Sequence, residues 1–153
     1  MLKVGDKAPE IRVQTDAGEA FKLSDLKGGR VVLYFYPKAD TPGCTTESCE
    51  FRDAVHEFAG KGAVVVGVSP DKRAAQAKFK AKYDLPFTLL ADEEKAAAQA
   101  YGVWKEKNMY GRKVMGIERS TFVIGPDGRI EKVYAKVKAQ GHAGQVLEDL
   151  PKN

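Results

Sequence analysis

With 153 residues, 43% of them hydrophobic, the chain can close one core but is too short for two full domains, so a single domain over 1–153 is expected. Lys and Arg total 25 against 21 Asp and Glu; the net +4 is scattered, and no basic run marks a nucleic-acid face. No stretch approaches the roughly 20 apolar residues of a membrane span, and the start MLKVGDKAPEIRV lacks the apolar region of a secretory signal, which points to a cytoplasmic protein.

In chain order, residues 10–22 read as a short hairpin around Asp16-Ala17-Gly18. Ser24-Asp25-Leu26 starts a helical turn. Arg30 to Tyr36, RVVLYFY, is an apolar run ended by Pro37, the pattern of a buried central strand. Thr41 suits an N-cap and Pro42 the first turn of a helix. Phe51, Val55 and Phe58 continue that helix at helical spacing until Gly60 and Gly62. A second buried strand covers 63–69, a helix 71–83, a short strand 87–90 and a helix 93–101. Then come a strand over 117–124, a turn at Pro126-Asp127-Gly128, a strand over 129–136 and a closing helix over 142–150. This order predicts an α/β thioredoxin-like fold: a central mixed β-sheet flanked by helices, with an N-terminal β-hairpin. A flavodoxin-like sheet would stay parallel, and the late hairpin argues against it.

The chemistry concentrates in Pro37-Lys38-Ala39-Asp40-Thr41-Pro42-Gly43-Cys44, just past the C-terminal end of a buried strand, where α/β sheets place their crevices. A cysteine in the first turn of a helix meets unpaired backbone N–H groups and the positive end of the dipole. Both favour a thiolate, the nucleophilic form. Thr41 can turn its hydroxyl into the same pocket, and the N–H groups of Gly43 and Cys44 can face a stretching O–O bond. Gly43 allows close backbone approach, and Pro42 shields one side of the sulfur.

Cys49 is the only other cysteine. On one helix the two Cα atoms lie about 8.7 Å apart, beyond the roughly 7 Å that a disulfide spans. A bridge therefore requires unwinding, and as a staple it would close a loop worth only about 2.2 kcal/mol. This suits a transient disulfide better than a structural one, while the reduced Cys49 packs as an apolar residue. Two Cys with His56 and His142, in no ligand spacing, make a metal site unexpected. Glu47 and Glu50 read as solvated acids near a helix start, His56 as a surface residue, Tyr101 and Trp104 as core or pocket edge, and Tyr36 as support at the strand end.

PKADTPGC resembles the peroxiredoxin pattern Pro-x-x-x-Thr-x-x-Cys. YFYPKADTPGCTTESCEFRD is similar to the Q-type peroxiredoxins, also called bacterioferritin comigratory proteins. VGDKAPEI, VVVGVSPD, YGVWKEK and GIERSTFVIGPDGRI extend the likeness along nearly the whole chain. The resemblance implies that Cys44 is peroxidatic, Thr41 binds the peroxide, Pro37 shapes the pocket and Arg119 holds thiolate and peroxide. Read by itself, Arg119 is a charged residue at a strand start. Cys49 matches the resolving cysteine of members whose two cysteines share a helix. The resemblance further implies a hydroperoxide substrate, recycling by thioredoxin or a similar dithiol, no metal, haem or flavin cofactor, and a monomer. Two other uses of such a fold are a general thiol–disulfide oxidoreductase, which normally carries C-x-x-C, and a redox-sensing or holdase protein, which would not need Thr41.

Overall fold

The structure is a computed structural model. It describes residues 2–151, so Met1, Lys152 and Asn153 of the expected domain lie outside the described residues. The elements are β1 (Arg12–Thr15), β2 (Ala20–Lys22), a 3-10 turn (Leu23–Leu26), β3 (Arg30–Phe35), α1 (Pro42–Asp53) and α2 (Val55–Gly60). They continue with β4 (Ala63–Ser69), α3 (Arg73–Tyr83), β5 (Thr88–Ala91), α4 (Ala96–Ala100), β6 (Trp104–Met109) and β7 (Arg112–Ile117). β8 (Ser120–Ile124), β9 (Ile130–Tyr134) and α5 (His142–Asp149) complete the chain.

Seven strands form one mixed sheet in the order β2-β1-β5-β4-β3-β8-β9. β3, β4 and β5 run parallel, while β1 and β8 join antiparallel and β9 extends β8. This is the thioredoxin-like mixed sheet with its N-terminal hairpin. β3 is apolar along its length because both of its faces are covered. Val31, Leu33 and Phe35 enter one core with Val66, Tyr101 and Phe122. Val32, Tyr34 and Tyr36 enter the other with Cys44, Phe51, Phe58, Phe79 and Val146. The period of two along β3 thus assigns Cys44 to the core on the side of α1, α3 and α5.

The structure departs from the sequence reading in three places. The helix expected to run from Thr41 to Gly60 breaks at Ala54, at φ −102° and ψ 3°, and this turns α2 onto β4. The strand expected over 117–124 is two strands, because Glu118 turns aside to donate its N–H to Val103 and leaves Arg119 in the step before β8. Between α4 and that step stands an unexpected hairpin, β6–β7, a separate two-stranded sheet. Its turn is Tyr110-Gly111, with φ of 54° and 78°, the double positive φ that a two-residue hairpin of the primed kind needs.

Candidate active site

Pro37 lies just past the C-terminal end of β3, and the chain crosses to α1 through residues 38–41. This loop is fastened at each step. The Ala39 N–H donates to Asp71 Oδ2 at 2.7 Å, an oxygen that also accepts the Ser69 hydroxyl. Asp40 takes a left-handed backbone at φ 60°. Thr41 occupies the N-cap position, as expected, but its side chain makes no capping bond. Its hydroxyl donates instead to the Lys38 carbonyl at 2.7 Å. The amides of the first turn of α1, which have no partner inside the helix, are therefore not taken up by the Thr41 side chain. Pro42, at the first helical position, is exposed.

Cys44 is wholly buried. Arg119, 75 residues away in sequence, arrives from the step before β8 and sets Nη2 3.3 Å from the Cys44 sulfur. Gly43 leaves room for this approach: a Cβ there would stand 3.1 Å from Arg119 Nη2, tighter than ordinary contact. Pro37 is half-buried at the strand end. Cys49 is half-buried on the same helix as Cys44, and both thiols are free. The expected residues thus meet around the start of α1, with Cys44, Gly43 and Arg119 in contact and Thr41 at the N-cap.

The reading of Glu47 as a solvated acid is corrected, while Glu50 is half-buried. Glu47 is fully buried and its Oε1 accepts Arg119 Nη1 at 2.7 Å. Three residues after Cys44 on a helix means the same face, so a Cys44 that faces the sheet brings Glu47 with it. Burial raises Glu47 to about 7, against the opposing pull of Arg119. Its Oε2 is buried without a hydrogen-bond partner among the described residues. Burial works against the Arg119 charge, but Glu47 and Cys44 together raise it above its ordinary value. Glu50 accepts the Gly141 N–H with both oxygens, at 2.9 and 3.1 Å, and ties α1 to the start of α5.

His142 was not singled out by sequence. It is buried behind Arg119, with Nε2 2.7 Å from the Thr121 hydroxyl and its ring against Phe51 and Tyr134. Burial, and then the Arg119 charge, lower it to about 4, so it is neutral at neutral pH. Tyr36 is buried at the strand end: its hydroxyl donates to Gln76 at 2.6 Å, and Gln76 donates to the Leu90 carbonyl. Tyr34 and Ser48 share a buried hydroxyl pair at 2.8 Å beneath α1. His56 is exposed, Tyr101 is core and Trp104 is partly buried against it.

Residues 4–133 match the AhpC/TSA family. The chain is 51% identical over 149 residues to Peroxiredoxin Bcp of Bacillus subtilis, across 97% of this chain and 95% of that protein. It is 43% identical to Peroxiredoxin Bcp of Escherichia coli, across 97% and 96%. Among solved structures, a Cys-to-Ser mutant of Xylella fastidiosa PrxQ superposes with a TM-score of 0.93 at 39% identity, covering 98% of this chain and 96% of the other. The Xanthomonas campestris bacterioferritin comigratory protein, studied for alkyl peroxide reduction, gives 0.88 at 42% identity, covering 92% and 89%.

Proposed function

The chain belongs to the AhpC/TSA family, among its Q-type peroxiredoxins, and from that premise we propose that Cys44 is the residue of this thiol-dependent peroxidase that meets the peroxide. The observation that carries the assignment is the Arg119 guanidinium 3.3 Å from a buried cysteine sulfur at a helix start. The guanidinium there puts a positive charge and a directed N–H donor on the sulfur.

The Cys44 thiolate attacks the distal oxygen of ROOH. The S–O bond forms as the O–O bond breaks, and the proton of the transferred hydroxyl passes to the leaving RO⁻, giving ROH and a sulfenate. Arg119 and the N–H groups of Gly43 and Cys44 are aimed at the charge that moves onto the oxygens. The Thr41 hydroxyl, whose own hydrogen goes to Lys38, presents lone pairs to the peroxide O–H. Pro37 and Pro42 shape the approach. After protonation, the sulfenic acid condenses with the Cys49 thiol to a disulfide and water, once the start of α1 has unwound. A thioredoxin-like dithiol reduces that disulfide by exchange. In this reading the protein works as a monomeric single domain in the cytoplasm on hydrogen peroxide and organic hydroperoxides.

Stopped-flow peroxide consumption with a thioredoxin system, wild type beside Cys44→Ser, tests the assignment. Turnover is expected to vanish while the circular dichroism spectrum is kept. Activity in Cys44→Ser within about tenfold of wild type, a barrier change of only about 1.4 kcal/mol, would sink it.

A further inference from the structure

The loop ahead of Cys44 is fastened from outside the site, and the fastening runs through Asp40. This residue directly precedes Thr41 and holds a left-handed backbone at φ 60°, a conformation that side chains resist and Asp or Asn resist least. Its Oδ1 accepts the Tyr83 hydroxyl at 2.7 Å, and its Oδ2 accepts the Lys82 ammonium at 2.9 Å. Both partners close α3. The Lys82 pair is open to solvent, where ion pairs hold little. The Tyr83 bond is the firmer one, because the Tyr83 ring is half-buried and packs edge-on against Phe79 at 5.5 Å. The Tyr83 carbonyl also accepts Arg52 Nη1 at 2.8 Å. One α3 residue therefore holds the chain both before Cys44 and after Cys49.

The direction of the Thr41 hydroxyl depends on this loop, since its hydrogen goes to Lys38 three residues back. Asp40 lies inside that short ring, and a change in its backbone angles turns Thr41 away. We propose that Asp40 is a positioning residue: its hydrogen bond to Tyr83 fixes the left-handed turn that aims the Thr41 hydroxyl at the peroxide. This rests on the reading of Thr41 as the residue that meets the peroxide hydroxyl.

The test is single-turnover oxidation of Cys44 by hydrogen peroxide in three variants, each also built on Thr41→Val. Tyr83→Phe deletes the donor and leaves the loop untouched. Asp40→Gly tolerates the left-handed backbone without holding it there, and deletes the carboxylate. Asp40→Asn keeps an acceptor and the tolerance of positive φ. The first two are expected to slow oxidation about fivefold, the yield of one ordinary hydrogen bond, and the third to stay within about twofold of wild type. On Thr41→Val, which is itself slowed, neither Tyr83→Phe nor Asp40→Gly is expected to slow it further. Wild-type rates in Tyr83→Phe and Asp40→Gly, or equal slowing with and without the Thr41 hydroxyl, would overturn the proposal and leave the role of Thr41 standing. A wild-type rate for Thr41→Val alone would remove both.

Discussion

The Arg119 guanidinium reaches the Cys44 sulfur at 3.3 Å with Nη2 while its Nη1 is held by Glu47 at 2.7 Å. One side chain thus brings a charge and a directed donor to the Cys44 sulfur, and the buried Glu47 keeps it in place. Arg119→Met is expected to slow Cys44 oxidation on the order of 10²-fold, the usual loss for one transition-state donor. Arg119→Lys restores a cation but not the fork that serves two partners. A wild-type oxidation rate in Arg119→Met would take Arg119 out of the site.

Gly43 is the space through which Arg119 approaches. An added Cβ at 3.1 Å from Nη2 is tighter than ordinary contact. The guanidinium has little freedom to yield, since Glu47 holds its other nitrogen. Gly43→Ala is therefore expected to push Nη2 off the sulfur and slow oxidation on the order of tenfold. Thermal melting of the reduced protein should stay near wild type. A wild-type oxidation rate would show that the arginine repositions without loss.

Glu47 and His142 give the site opposite responses to pH. Burial raises Glu47 from 4.5 to about 7. The folded chain holds this proton more tightly than the unfolded one, so the contribution is full below about 4.5 and is lost as pH rises through about 7. His142 is lowered from 6.5 to about 4 by burial and then by Arg119. Its contribution is full above about 6.5 and is lost as pH falls through about 4. Glu47→Gln removes the first of these. In urea denaturation of the reduced protein, the stability of wild type relative to Glu47→Gln is expected to fall between about pH 5 and pH 8, on the order of 3 kcal/mol. A constant difference would place the Glu47 titration outside that window.

The cysteine site was legible because its signal is local: a buried strand, a proline stop and a helix start carrying Thr41 and Cys44 within eight residues. Arg119 was legible only through resemblance, since nothing near position 119 shows that folding will bring it across 75 residues. Glu47 was misread because acids early in a helix usually face water. Its spacing from Cys44 was the available signal. The β6–β7 hairpin escaped because WKEKNM and RKVMGI carry too much charge for clean alternation, and its turn uses Tyr110 where Asn or Asp is usual. Ala54 gives no Gly or Pro to mark the break between α1 and α2.

The last prediction concerns the disulfide. Cys44 and Cys49 share α1, so their Cα atoms stand about 8.7 Å apart while the helix is intact. A bridge tolerates roughly 7 Å, so oxidation must unwind the segment between them. Unwinding withdraws Glu47 from Arg119 and Ser48 from Tyr34, both buried pairs. It meets resistance just beyond Cys49, where Glu50 holds Gly141, Phe51 is buried and Arg52 holds the Tyr83 carbonyl. The amides of residues 41–49 are therefore expected to exchange faster in the disulfide form, while those from Phe51 onward keep most of their protection. The oxidised protein should melt at a lower temperature than the reduced one, the reverse of an ordinary structural disulfide. Cys49→Ser should retain the helix after peroxide treatment and leave Cys44 open to over-oxidation. Hydrogen exchange read by mass spectrometry on reduced, oxidised and Cys49→Ser protein decides the matter. Undiminished protection over 41–49 in the oxidised form, or a higher melting temperature, would mean that the two sulfurs join without opening α1, contrary to the spacing of their helix positions.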